Sequence, residues 1–131
     1  VYVDQWDWEK VITAQDRTLE YLKYTVQRIV DAIGITCDEL RWEFETIQTQ
    51  LDRNVYFITT QELEDRYPNL TPSQRENEIT KEHNTVFLMQ IGKALRSGSI
   101  HDGRAPDYDD WELNGDILFR SDLLDRAGED A

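Results

Sequence analysis

The segment "GRAPDYDDWELNGDIL", Gly103 to Leu118, sets Asp107, Asp109, Asp110, Glu112 and Asp116 within ten residues, with Arg104 just ahead. Like charges at that density repel, so solvent, a cation or a positive ligand must offset them. Three chemistries fit: a solvated acidic loop, a calcium loop and a metal–nucleotide site. From Asp110 the spacing partly follows an EF-hand, with Glu112 and Asn114 at alternate positions and Gly115 at the sixth. Ser121 then stands where such a loop needs a bidentate glutamate, and Pro106 breaks the helix expected before it. Arg104 and Tyr108 are interleaved with the acids, as in a polar pocket. "DQWDW", Asp4 to Trp8, repeats this mixture of acids and large aromatics. Rings beside carboxylates lower the local dielectric and strengthen cation contacts. Trp6 and Trp8 themselves read as core residues at the end of a strand.

Other chemistry is thinner. His83 and His101 lie apart, without a second histidine at helical ligand spacing, and each reads as a surface residue or helix end. Met89 lies in an apolar run and reads as core. Cys37 is the only cysteine, which excludes an intrachain disulfide and a cysteine zinc cluster. No glycine-rich phosphate loop and no Ser-His-Asp set is present. The sequon Asn69–Thr71 reads as chance.

The 131 residues, 39% of them hydrophobic, suit one domain, residues 1–131, with a modest core. Lysine plus arginine number 14 against 27 acids, a net charge of −13. That balance argues against a nucleic-acid partner, which is held mainly by basic side chains, although a metal-filled pocket can still take a nucleotide. No apolar run approaches the roughly 18 residues of a membrane span, and no signal segment is seen, so a cytoplasmic location without a membrane partner is expected. The sequence opens at full β-propensity with no initiator Met, as a segment of something longer would.

Certain elements must position these residues. Val1 to Gln5 reads as a strand. Leu19, Leu22, Val26, Ile29, Val30 and Ile33 form a helical stripe that Gly34 is expected to end. Thr36 and Glu39 have capping-box spacing, and Leu40, Phe44, Ile47 and Leu51 would carry a second helix, making a helical hairpin on a sheet. Asn54 to Thr60 reads as a strand and "TQELEDRY" as a short helix. Thr71, Pro72 and Gln74 start a helix that runs to about His83. "VFLMQIG", Val86 to Gly92, reads as a central strand, and Ser97 to Asp110 as loop. Asn114-Gly115 is a favourable hairpin turn pair, with "DILF" continuing as a strand. Strands and helices mixed without regular alternation predict an α+β fold with a mainly antiparallel sheet flanked by helices. On the residues alone this is a carboxylate site open to a divalent metal, and spacing names no reaction.

Taken in order, "VYVDQWDWEKVI", "TTQELEDRYPNLTP", "VFLMQIG" and "HDGRAPDYDDWELNGDIL" resemble the ammonia-dependent asparagine synthetase A family, aspartate–ammonia ligase. The resemblance implies a catalytic fold like that of class II aminoacyl-tRNA synthetases, of which this chain would be a central segment, and a homodimer. It implies ATP-dependent joining of aspartate and ammonia through β-aspartyl-AMP, with Mg²⁺. It further implies that Gln5, Asp7 and Arg104 bind substrate, that Gln5 and Asp109 serve catalysis, and that Asp109 and Asp116 line the ATP–metal side. Asp4, Asp107 and Tyr108 belong to the same motifs. The family's upstream arginine loop and downstream glycine-rich strand lie outside this sequence, so about half an active site is expected. A non-catalytic amino-acid- or nucleotide-binding or protein-association domain on the same scaffold is the alternative. A synthetase-like protein is disfavoured by the negative charge.

Overall fold

The computed structural model describes residues 6–46, 50–107 and 109–120. The expected strand Val1–Gln5, and Ile47 of the second stripe, lie outside them. In chain order the elements are a 3₁₀ turn at Ala14–Asp16, α1 (Leu19–Glu43), β1 (Tyr56–Thr59), α2 (Thr60–Arg66), α3 (Pro72–His83), β2 (Thr85–Met89) and β3 (Gly115–Phe119).

The sheet has the order β1-β2-β3 and is mixed. β1 and β2 are parallel, from Tyr56 opposite Val86 to Thr59 opposite Met89, whereas β2 and β3 are antiparallel, from Thr85 opposite Phe119 to Met89 opposite Gly115. This corrects the mainly antiparallel expectation. α2 and α3 lie between β1 and β2, and a helical crossover of that kind returns the chain to the sheet in the same direction.

All five residues of β2 are buried, which identifies it as the central strand. Alternate side chains feed two cores. Val86 and Leu88 join Ile58, Leu63, Ile79 and Ile91 on the α2–α3 side. Phe87 and Met89 join Val26 and Val30 of α1, with Leu22, Leu51, Val55, Phe57 and Ile117 packed around them. Ile29 and Ile33, expected on the same buried stripe, are only half-buried.

Among the described residues no helical hairpin forms. α1 continues through Gly34 to Glu43 as one helix. Gly34 is a site of close approach: a Cβ there would lie 2.6 Å from Arg53 Nε. The Arg53 side chain crosses it to donate to Asp38 Oδ2 (2.6 Å). Thr36 does not cap a second helix but donates back to Ala32 O (3.0 Å). The remainder of the second stripe is largely unburied, with Leu40 and Phe44 exposed.

Local hydrogen bonding sets the shorter helices. Thr71 and Gln74 close the expected capping box at the start of α3, with Pro72 as its first residue. Thr59 and Glu62 form a second capping box, which lets the chain pass from β1 into α2 without a loop. Among the described residues no helix is long and apolar enough to cross a membrane.

Candidate functional site

β2 ends at Met89 and β3 begins at Gly115, so the acid cluster lies in the connection between the two strands, except for Asp116, the second residue of β3. Asn114-Gly115 is therefore not a two-residue hairpin turn, because Gly115 already pairs with Met89 in the sheet. A Cβ at Gly115 would collide with Leu88 O and the Phe87 ring. Asn114 instead docks on the end of β2. Its Oδ1 accepts from Ile91 N–H (2.9 Å), and its Nδ2 donates to Ile91 O (2.9 Å) and to Asp109 Oδ1 (3.2 Å).

Arg104 is the cationic centre of the loop. Its Nη1 donates to Asp102 Oδ2 (3.0 Å) and Gly103 O (2.7 Å), and its Nη2 donates to Asp116 Oδ2 (2.6 Å). Partial burial works against the Arg104 charge, but the hydrogen bonds to Asp102 and Asp116 outweigh it and raise its pKa. The same hydrogen bond from Arg104 holds the Asp102 carboxyl below the usual carboxylate range, against its own partial burial.

The other acids are shared out individually. Asp110 Oδ2 accepts from Arg17 Nε (3.1 Å) and Nη2 (2.5 Å), which ties the turn after residues 6–10 to the loop across 93 positions. Glu112 pairs with Lys93. Asp107 is exposed and pairs with no cation among the described residues. With Arg17, Pro106, Asp109, Asp110 and Trp111 it lines an open depression. Trp111 packs against Gly92, whose φ is 120° and where a Cβ would lie only 2.8 Å from Trp111 Nε1. The cluster's repulsion is thus relieved by separate partners. Among the described residues no three His, Cys, Asp or Glu side chains converge on one metal position. Mg²⁺ bound with a nucleotide needs only one or two carboxylates, with phosphate and water supplying the rest. Asp109 keeps Oδ2 free of any protein donor among the described residues.

Of the residues singled out from sequence, the fold joins Arg104 directly to Asp116 and sets Asp109 on Asn114. Asp7 is exposed, with no hydrogen bond to the loop among the described residues. Asp4, Gln5 and Tyr108 lie outside the described residues. Trp6 and Trp8 are 74% and 52% exposed, in an edge-to-face pair at 6.4 Å, which corrects their reading as core. Met89 is core as expected. His83 is a helix end, stacked on Tyr56 at 3.6 Å. His101 is not a surface residue: its side chain is 2% exposed, and Nε2 faces Glu76 Oε2 at 3.2 Å.

Arg17 and Asn114 escaped the sequence reading. Nothing local in sequence marks an arginine whose partner lies 93 residues away, and Asn114 was disguised by the turn signal it forms with Gly115. A buried polar group beside the loop also went unseen. Ser97 Oγ donates to Glu64 Oε2 (2.7 Å), and Arg75 Nη1 lies 3.7 Å from the same oxygen. The Ser97 hydrogen bond lowers the Glu64 pKa, against the opposing effect of burial.

Comparison with known proteins gives one consistent result. The sequence model of a family described as aspartate-ammonia ligase matches residues 1–130. The chain is 60% identical over 128 residues to the aspartate–ammonia ligase of Levilactobacillus brevis, covering 98% of this chain and 38% of that protein. It is 55% identical over 129 residues to the enzyme of the same name from Pediococcus pentosaceus and 54% identical over 129 residues to that of Clostridium tetani, each match covering 98% of this chain and 38% of the relative. The chain thus spans well under half the length of the curated relatives it matches.

Proposed function

This chain belongs to the aspartate–ammonia ligase family, and we propose that it forms a central segment of a catalytic domain that makes asparagine from aspartate, ammonia and ATP. On this reading the domain has the class II aminoacyl-tRNA synthetase-like fold, acts as a cytoplasmic homodimer, and activates aspartate as β-aspartyl-AMP before ammonia displaces AMP. The observation that carries the reading is the 60% identity across 98% of the chain, a span that includes both acidic–aromatic motifs.

The chemistry explains why these residues are needed. A carboxylate is a poor electrophile, so its oxygen first attacks the α-phosphorus of ATP, forming the acyl–phosphate bond of a mixed anhydride as the bond to the β-phosphate breaks and pyrophosphate leaves. Charge accumulates on the phosphoryl oxygens, and cationic donors already in place stabilise it. Arg104, oriented by Asp102 and Asp116, supplies such a cation toward the substrate carboxylate or phosphate. On this reading Gln5 and Asp7 would bind the amino acid, with the Asp7 carboxylate as the partner of its ammonium. Asp109 would serve the reacting centre, and Asp4, Asp107 and Tyr108 belong to the same motifs. Asp109 and Asp116 would hold Mg²⁺, which supplies charge neutralisation on the phosphates.

The test is ammonia- and ATP-dependent formation of asparagine and AMP by the full-length native product that carries this sequence. Activity abolished by Gln5→Ala and by Asp109→Ala, with the fold retained, is the expected result. Robust asparagine formation by both variants would overturn the assignment.

A further inference from the structure

We propose that Asn114 is a positioning residue for Asp109, an uncharged donor that aims this carboxylate at a cationic group of the substrate side; the inference rests on the reading of Asp109 as a site residue. The orientation of the Asn114 amide is fixed by chemistry. A backbone N–H can only donate, so the atom 2.9 Å from Ile91 N must be Oδ1. Nδ2 then faces two acceptors, Ile91 O at 2.9 Å and Asp109 Oδ1 at 3.2 Å, and its two N–H groups are spent one on each. A flipped amide would face donor to donor at Ile91 N and acceptor to acceptor at the other two positions.

The donor is also rigidly mounted. Gln90 N–H donates to Asn114 O (3.4 Å), and the next residue, Gly115, is already paired with Met89 in the sheet. Asn114 therefore moves with the end of β2, whereas Asp109 sits on a loop. The hydrogen bond transfers the position of the sheet to one carboxylate oxygen and leaves the other open.

Charge gives the arrangement its purpose. Asp110 holds an arginine and Glu112 a lysine, so their charge is already compensated. Asp109 is held by a neutral amide, which orients it without competing for the cation it would meet, a substrate ammonium or a metal ion. A lysine or arginine in place of Asn114 would neutralise it.

Two experiments on the full-length native product decide the matter. In the ¹H–¹⁵N spectrum, Asp109→Ala should shift one proton of the Asn114 side-chain amide upfield and leave the other, bonded to Ile91 O, in place. No change at either proton would overturn the proposal. This measurement keeps Asn114 itself intact, so it decides even where an Asn114 variant fails to fold. The second is a double-mutant cycle. Asn114→Asp is nearly isosteric but removes the donor, and alone it should lower kcat/KM for aspartate by about 10–100-fold. In the Asp109→Asn background the same change should cost under about 3-fold, because the carboxylate charge it acts through is gone. Equal losses in both backgrounds would mean that Asn114 serves the fold alone and would overturn the proposal. Full activity of Asp109→Asn would remove the site reading, and this inference with it. That outcome is distinct from a failed cycle, in which Asp109 matters and Asn114 does not act through it.

Discussion

Arg104 Nη2 donates to Asp116 Oδ2 across 2.6 Å, bridging the middle of the long loop and the second residue of β3. The same guanidinium reaches Asp102, so one planar group sets the spacing between loop and sheet. Lysine is a point charge on a flexible stem and cannot copy that fork. In the full-length native product, Arg104→Ala should lower kcat/KM by about 10²–10³-fold, as loss of one fixed donor to a developing oxyanion does. Arg104→Lys should recover little of it. Asparagine formation under saturating ATP and ammonia measures both, with circular dichroism to show that the fold persists. Full rescue by lysine would mean that charge alone matters at this position.

The acid limb of stability should depend on Ser97. Glu64 and Asp102 both have carboxyls held below their ordinary range. For a carboxyl whose folded pKa is depressed, the stabilisation is present above the unfolded pKa and is lost as pH falls through the folded one. Urea midpoints should therefore drop as pH falls below about 5. Ser97→Ala removes the leading cause of the Glu64 shift and should flatten that drop. An unchanged slope would show that the Ser97–Glu64 bond does not favour the carboxylate.

Core and flank should separate sharply in mutational cost. Leu88 is fully buried in the central strand, and Leu88→Ala should destabilise by about 2–5 kcal/mol. Ile29 is only half-buried beside Val30, so Ile29→Ala should cost less than about 1.5 kcal/mol. Urea unfolding of the two variants compares them directly. Equal costs would place Ile29 in the core.

Gly34→Ala poses two opposed effects. Alanine inside a helix is worth about 1 kcal/mol over glycine, but a Cβ at position 34 would meet the Arg53 side chain at 2.6 Å. Moving Arg53 breaks its exposed ion pair with Asp38, a contact of the class worth about 0–1 kcal/mol. The gain from Gly34→Ala should therefore be larger in an Arg53→Ala background than in the unsubstituted chain. Equal gains in thermal or urea unfolding would show that Arg53 does not occupy the space beside the helix.

What could be read from sequence was local or was carried by whole motifs. Thr71, Pro72 and Gln74 specify the start of α3 because a capping box closes within one turn. The run around Val86–Met89 announces a strand buried on both faces, because no polar residue interrupts it. The four motifs together carry the family. What sequence could not decide was every relation that depends on distant partners. Gly34 looks like a helix end until Arg53 is seen to need the space. The parallel pairing of β1 with β2 depends on where two helices return the chain. Arg17 meets Asp110 only after the sheet has brought the two segments together. Asn114 carries the signature of a turn, and only docking on Ile91 turns it into the donor that holds Asp109. Local backbone bonds are closed by neighbours in sequence, whereas Asp109, Asp110, Glu112 and Asp116 obtain their partners from wherever the fold delivers them.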